Sequence, residues 1–215
     1  MFHFFAMLSR MKYINRWGLM RNTRQENICE HSLETALVAH ALATIGNARF
    51  GRSYDPERAA ALAMLHDAGE IITGDMPTPV KYHSQEIRAA YSEVEEKAIE
   101  HLVRMLPEDL RAPYRELMTQ TGPRDEELRP LVKAADRISA LIKCVEERHS
   151  GNHDFHKAEQ TITRQIADMG LPEADLFVKE FLPSYGLTIE EQDYAREAGL
   201  KFKDDSQMVF GNILK

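Results

Sequence analysis

The sequence predicts an all-α, single-domain helical protein of roughly eight to ten helices. Apolar residues recur at helical spacing in several long stripes, and no segment alternates with period two for long enough to argue a sheet. No linker, internal repeat or low-complexity stretch divides the chain. At 215 residues, 43% hydrophobic and 28% charged, it can bury a core without a disulfide or metal staple. The expected domain covers 1–200, and 201–215 is a C-terminal tail with no assigned role.

The first segment, MFHFFAMLSRMKYINRW, is apolar and basic like a leader. It carries His3 and Arg10 and has no small-residue cleavage site, so it reads as a first amphipathic helix of a cytoplasmic protein. Leu33, Leu37, Val38, Ala41, Leu42 and Ile45 then form a 3.6-residue stripe, which predicts a helix over 33–45. Asp55, Pro56 and Glu57 read as an N-cap, a first-turn proline and an acidic first turn of a helix through Ala59 to His66 and Asp67. Gly74, Pro77 and Pro79 break the pattern, so 71–83 is expected to be a structured loop. Ser84 caps a helix to about Leu106, where Pro107 closes it, and a short helix follows over 107–120. Leu128, Leu131, Val132, Ala135, Ile138, Leu141, Ile142 and Val145 form the next stripe, which ends at Ser150-Gly151-Asn152. Helical patterns return at 154–168, 172–182 and 188–198.

Composition excludes some classes of function. A net charge of −7 argues against binding polymeric nucleic acid, since phosphate contacts need a basic face. No apolar run approaches the roughly 18 residues that span a bilayer. Cys29 and Cys144 belong to no CxxC motif and read as two buried free thiols of a reducing compartment.

The candidate chemistry lies in scattered histidines and carboxylates. His66-Asp67 follows the small apolar run ALAML, and burying such a pair is costly unless each group has a partner. A divalent cation would satisfy both. Glu70, three residues after Asp67, would lie on the neighbouring turn as an acid or base. Asp136 lies in the apolar stripe VKAADRISALI, and His31 stands near the start of the first strong helix. Each has an ordinary alternative: a hydrogen-bonded helix end for His66-Asp67, an ion pair with Lys133 for Asp136, a cap or core histidine for His31. Their joint order, His…His-Asp…Asp on three helices, points to one metal site. His40, His83, His101, His149, His153 and His156 are assigned nothing.

That order resembles the HD-domain metal-dependent phosphohydrolases. The segments LSRMKYINRWGLMRNTRQENICEHSLETALVAHAL and MLHDAGEIITGDMPTPVKY, with the later AAD, are similar to the bacterial 5'-deoxynucleotidase branch, the YfbR type, over about residues 3–185. Departures are Arg137 directly after the last Asp and the tail beyond about residue 200. The resemblance implies hydrolysis of 2'-deoxyribonucleoside 5'-monophosphates to deoxynucleoside and phosphate. It implies one divalent transition metal per chain on His31, His66, Asp67 and Asp136, with Co, Mn, Ni, Fe and Zn undistinguished by ligand type. His31, Asp67 and Asp136 would also face the substrate. Arg16 is expected to orient the phosphate, because a planar fork suits phosphate oxygens. Arg21 and Arg24 are expected to be solvated, and Lys81 offers further positive charge. Glu70 is expected to transfer a proton. Asp75, Met76, Pro77 and Thr78 would contact the nucleotide, and Trp17, the sole tryptophan, would lie beside C2' of the sugar. A homodimer is implied as well. The alternatives are another HD-type nucleotide phosphohydrolase, a triphosphohydrolase or phosphodiesterase, or a non-catalytic nucleotide-binding protein.

Overall fold

Helices α2 (Ile28–Phe50), α3 (Pro56–Met64) and α8 (Asp125–His149) pack together at the centre of the molecule, in a computed structural model that describes residues 1–81 and 83–197. The first turn of α2 is fixed by a capping box: Asn27 accepts from the Cys29 and Glu30 amides, and Glu30 accepts from the Asn27 amide. It ends at Gly51, whose φ of +64° is the left-handed conformation that favours glycine. Its inner face is largely small, with Ala36, Ala39, Ala43 and Gly46 buried. At Gly46 a Cβ would stand 2.8 Å from the Tyr54 ring, so only glycine fits there. Every apolar residue of the expected 128–145 stripe is buried in α8. Asp55 caps α3 through the Arg58 amide with Pro56 in the first turn, as expected.

A second apolar cluster joins Phe4, Leu65, Ala68, Leu102, Val103, Leu106 and Met118. It ties α1 (Phe4–Leu8) to α6 (Gln85–Arg104) and α7 (Glu108–Thr119), with the Phe4 and Tyr114 rings edge to face at 4.9 Å. Ser84 caps α6 through the Ile87 amide. The last helices among the described residues are α9 (His156–Ala167), α10 (Pro172–Glu180) and α11 (Ile189–Glu197). The described residues contain no strand beyond one isolated antiparallel bridge, Asn15–Asn27. No described helix is long and apolar enough to cross a membrane.

Several local expectations are corrected. Leu33 and Leu37 are 60% and 65% exposed, because α2 turns Ile28, His31, Ser32, Thr35 and Val38 inward instead. The helix from Asp55 stops at Met64. Residues 65–69 continue in turns tightened by three-residue bonds such as Ala68 N–H to Leu65 O, so His66 and Asp67 lie on a turn. The expected 71–83 loop holds two single-turn helices, α4 (Glu70–Thr73) and α5 (Thr78–Lys81), separated at Gly74 with φ +73°. The first helix is short and passes into a 3-10 turn over Ser9–Tyr13. Cys29 is exposed and Cys144 buried, so the two thiols differ. The tail 201–215 lies outside the described residues.

Candidate active site

Three elements bring the four expected donors together. His31 lies in the first turn of α2, His66 and Asp67 on the turn after α3, and Asp136 near the middle of α8. His31 Nε2 is 3.1 Å from Asp136 Oδ1 and 3.5 Å from Asp67 Oδ2. His66 Nε2 is 3.2 Å from Asp67 Oδ2 and 3.8 Å from Asp136 Oδ1. Ligand atoms of His31, His66 and Asp67 all lie within 4.8 Å of one another.

The outer nitrogens set the direction of the inner ones. His66 Nδ1 donates to the Ala63 carbonyl at 2.6 Å. Ser139 Oγ donates to Glu34 Oε2 at 2.6 Å, and therefore accepts from His31 Nδ1 at 3.1 Å. With both Nδ1 atoms bonded outward, both Nε2 atoms face the Asp67 and Asp136 carboxylates, where a neutral ring would present its lone pair to a bound ion. His66 Nε2 is buried and has no hydrogen bond. His31, His66 and Asp67 cluster tightly enough to share a divalent transition ion, and an Asp136 oxygen lies 3.1 and 3.8 Å from the two imidazoles beside them.

Electrostatics separates the groups. Burial opposes charge on all four donors, yet Asp67 and Asp136 hold the His66 imidazolium well above the usual histidine range. Burial and then Arg16 push His31 the other way. Despite burial, the charge of His66 holds Asp67 down to about 2, and the His31 hydrogen bond and the nearby His66 charge keep Asp136 well below the carboxylate range. Glu70 behaves oppositely: burial, then Asp67 and Asp75, push its carboxyl up to about 9, and its Oε2 is buried without a partner.

Arg16 and Trp17 sit on irregular chain before α2. Arg16 is only 13% exposed and pairs with Glu26 at 2.9 Å. Burial works against its charge, while Glu26 and then Asp67, Asp136 and Asp75 favour it. Burial raises the Asp75 carboxyl, with Arg16 and the Trp17 backbone opposing it. Met76 and Pro77 are half-buried beside it, and Thr78 opens α5. Lys81 is paired to Glu95 at 2.9 Å, lies over the Tyr91 ring at 4.7 Å, and stays within electrostatic reach of Glu70. Arg21 and Arg24 are exposed and paired to Asp154 and Glu30. Asp136 faces His31 and His66, not Lys133, which is exposed.

Sequence reasoning missed Glu26, Glu34 and Ser139. Glu34 follows His31 by three residues and Ser139 follows Asp136 by three, so helical spacing could have flagged both. Burial pushes Glu34 up to about 7, against its bond from Ser139. Glu26 carries no local pattern.

Comparison with known proteins identifies the family. The family model of YfbR-like 5'-deoxynucleotidases matches residues 3–185. A 5'-deoxynucleotidase of Photorhabdus laumondii is 48% identical over 191 residues, covering 89% of this chain and 96% of the relative. A 5'-deoxynucleotidase of Yersinia pestis matches with the same identity and coverage. Among solved structures, an HD-domain phosphohydrolase of Listeria innocua aligns over 92% of this chain and 95% of its own, with TM-score 0.73 and 22% identity. The HD phosphohydrolase of cyanophage S-2L, bound to dA and one catalytic Zn2+ ion, aligns over 83% and 96%, with TM-score 0.60 and 20% identity. These two share the fold. A family match over most of the length, joined to relatives at 48% identity, means that this chain belongs to the YfbR-like 5'-deoxynucleotidase family.

Proposed function

We propose that this chain is a metal-dependent 5'-nucleotidase that converts 2'-deoxyribonucleoside 5'-monophosphates to deoxynucleoside and phosphate. The observation that carries the reading is the convergence of His31, His66, Asp67 and Asp136, with His66 Nε2 buried and without a hydrogen bond. These four residues would hold one divalent transition ion, Co, Mn, Ni, Fe or Zn, which supplies Lewis acidity toward the phosphoryl group. The Zn2+ of the cyanophage enzyme supports a metal of this class.

The chain's own residues divide the remaining work. The Arg16 guanidinium, held from one side by Glu26, offers its other N–H groups to phosphate oxygens. Glu70, buried within reach of Asp67 and Asp75 with its Oε2 unpartnered, is the residue that transfers a proton to the leaving 5'-oxygen. Asp75, Met76, Pro77 and Thr78 approach the nucleotide, and Lys81 adds positive charge beside Glu70. Trp17 lies against C2' of the sugar, where a rigid indole leaves no room for a hydroxyl. A homodimer and a cytoplasmic location complete the reading.

A phosphate-release screen tests it. Matched ribo- and deoxynucleoside monophosphates, a deoxynucleoside triphosphate and a cyclic nucleotide are each incubated with Co, Mn, Ni, Fe or Zn. Free phosphate from deoxynucleoside monophosphates, with ribonucleotides well behind, is the expected result. Turnover confined to the triphosphate or the cyclic nucleotide would assign the site to another HD phosphohydrolase chemistry. Binding without metal-dependent turnover would make it a non-catalytic nucleotide site.

A further inference from the structure

Glu26 is 92% buried, and a single oxygen of its carboxylate serves two residues given to the substrate above. Oε2 accepts from Arg16 Nη1 at 2.9 Å and from Trp17 Nε1 at 2.8 Å. The backbone sets this register: Arg16 N–H donates to Glu26 O, Ile28 N–H donates to Ile14 O, and Asn15 bridges Asn27. Trp17 needs the support. Its φ is +59°, a left-handed conformation that a bulky residue adopts only when its surroundings over-determine it. Asn22 Nδ2 donates to the Trp17 carbonyl, and the Phe155 ring packs against the indole at 5.2 Å. Glu26 holds the indole by its ring nitrogen, and both donors share one charged acceptor, the stronger class of hydrogen bond. Displacement of the guanidinium is therefore felt at the indole, and the reverse.

We propose that Glu26 is the positioning residue that couples the phosphate-orienting Arg16 to the sugar-facing Trp17, so that selection of deoxyribose depends on Glu26 as well as on Trp17. The inference rests on the roles given to those two residues above. It differs from a plain packing role because it links sugar discrimination to phosphate affinity through one carboxylate.

Trp17 is the only tryptophan, so fluorescence excited at wavelengths beyond tyrosine absorption reports on this ring alone. Full-length, metal-loaded wild type, Glu26→Ala, Glu26→Gln and Trp17→Ala are compared by kcat and KM on a matched deoxy and ribo monophosphate pair, and by inhibition with inorganic phosphate. Acrylamide quenching is measured on the three proteins that retain Trp17, and metal content on all four. For Glu26→Ala the expectation is greater quenching and a drop of about 10²-fold in kcat/KM on the deoxynucleotide, the scale of a misplacement of about 1 Å. The deoxy-to-ribo ratio should narrow toward that of Trp17→Ala, phosphate inhibition should weaken, and metal content should hold. Glu26→Gln, which keeps an acceptor but loses the charge, should fall between wild type and Glu26→Ala. Should Glu26→Ala lose helicity, the decision passes to Glu26→Gln. An unchanged deoxy-to-ribo ratio overturns the proposal, and so does a changed ratio with unchanged quenching. If the wild type itself shows no deoxy preference, the sugar reading fails first. The coupling then stands on joint changes in quenching and phosphate inhibition, and falls if either is unmoved.

Discussion

The metal-binding side of the site and its substrate side are built by different means. His31 and Asp136 stand on α2 and α8, helices of 23 and 25 residues whose inner faces form the main core. Arg16, Trp17, Asp75 and Met76 stand on irregular chain that contributes little to that core. Helix packing places the first group, because moving either donor would shift a buried helix, and the Ser139 hydroxyl then orients the His31 ring. The second group is held by buried carboxylates that take up backbone and side-chain donors. Glu26 holds Arg16 and Trp17, and Glu147 holds the Thr23 and Arg24 amides. A site of this kind separates a rigid metal cradle from a substrate wall whose shape depends on a few polar contacts.

The largest effect is expected where the helical cradle is broken. His66→Ala or Asp136→Ala should lower metal content and turnover together. The loss of metal affinity should exceed the about 10–100-fold that outer hydrogen-bond partners of metal ligands contribute. Metal analysis of the purified variants, with helicity checked by circular dichroism, makes the measurement. A folded His66→Ala protein that kept one tightly bound ion per chain and normal turnover would remove His66 from the ligand set.

Glu70 stands between the two sides, on α4, and its replacement should separate chemistry from assembly. Glu70→Ala is expected to keep metal and substrate binding while losing about 10²–10⁴-fold in rate, roughly 3–5 kcal/mol of barrier. Single-turnover kinetics at saturating substrate reads that step directly. A rate within about twofold of wild type would take Glu70 out of proton transfer; loss of the ion instead would place it among the ligands.

The two sides also differ in how legible they are from sequence. The α8 stripe, the Asp55 cap and the Ser84 cap are local patterns, and local patterns survive folding. Of the α2 stripe, Val38, Leu42, Ala41 and Ile45 meet the core, but Leu33 and Leu37 face outward, because that helix also buries alanines, a glycine and His31, which carry little hydropathy. The grouping His…His-Asp…Asp was readable because the residue types are unusual within apolar runs. Glu26 was not, because its meaning depends on a chain reversal that brings residues 16 and 17 beside 26. The turn at His66 hid as well: ALAML continues a helical pattern, and only the second apolar cluster around Leu65 and Ala68 explains the tighter winding.

The smallest expected effect on chemistry, though a clear one on stability, belongs to Glu147. Its side chain is 1% exposed and meets Lys143, itself 6% exposed, one turn earlier on α8. It also accepts from the Thr23 amide and hydroxyl and from Asn152 Nδ2. Burial alone would raise this carboxyl, but Lys143 and these donors outweigh it and hold it down to about 2. A carboxylate whose folded pKa lies below its unfolded one binds its proton more readily when unfolded. Its contribution to stability is therefore complete above about pH 4.5 and fades as pH falls toward about 2. Glu147→Ala at neutral pH leaves Lys143 buried without its carboxylate, a change that costs about 3 kcal/mol, or about 6–12 °C in Tm for a chain of this length. The loss should shrink steadily in thermal melts as pH falls from about 4.5 toward about 2, because the unfolded wild type takes up the proton that folded Glu147 does not. Trp17 quenching should move less than in Glu26→Ala, because Glu147 reaches the ring only through residues 21–24 and through Phe155, which lies between Lys143 and the indole. An equal change in quenching would mean that the substrate wall is held as one unit, and that the carboxylate at position 26 has no special hold on the indole.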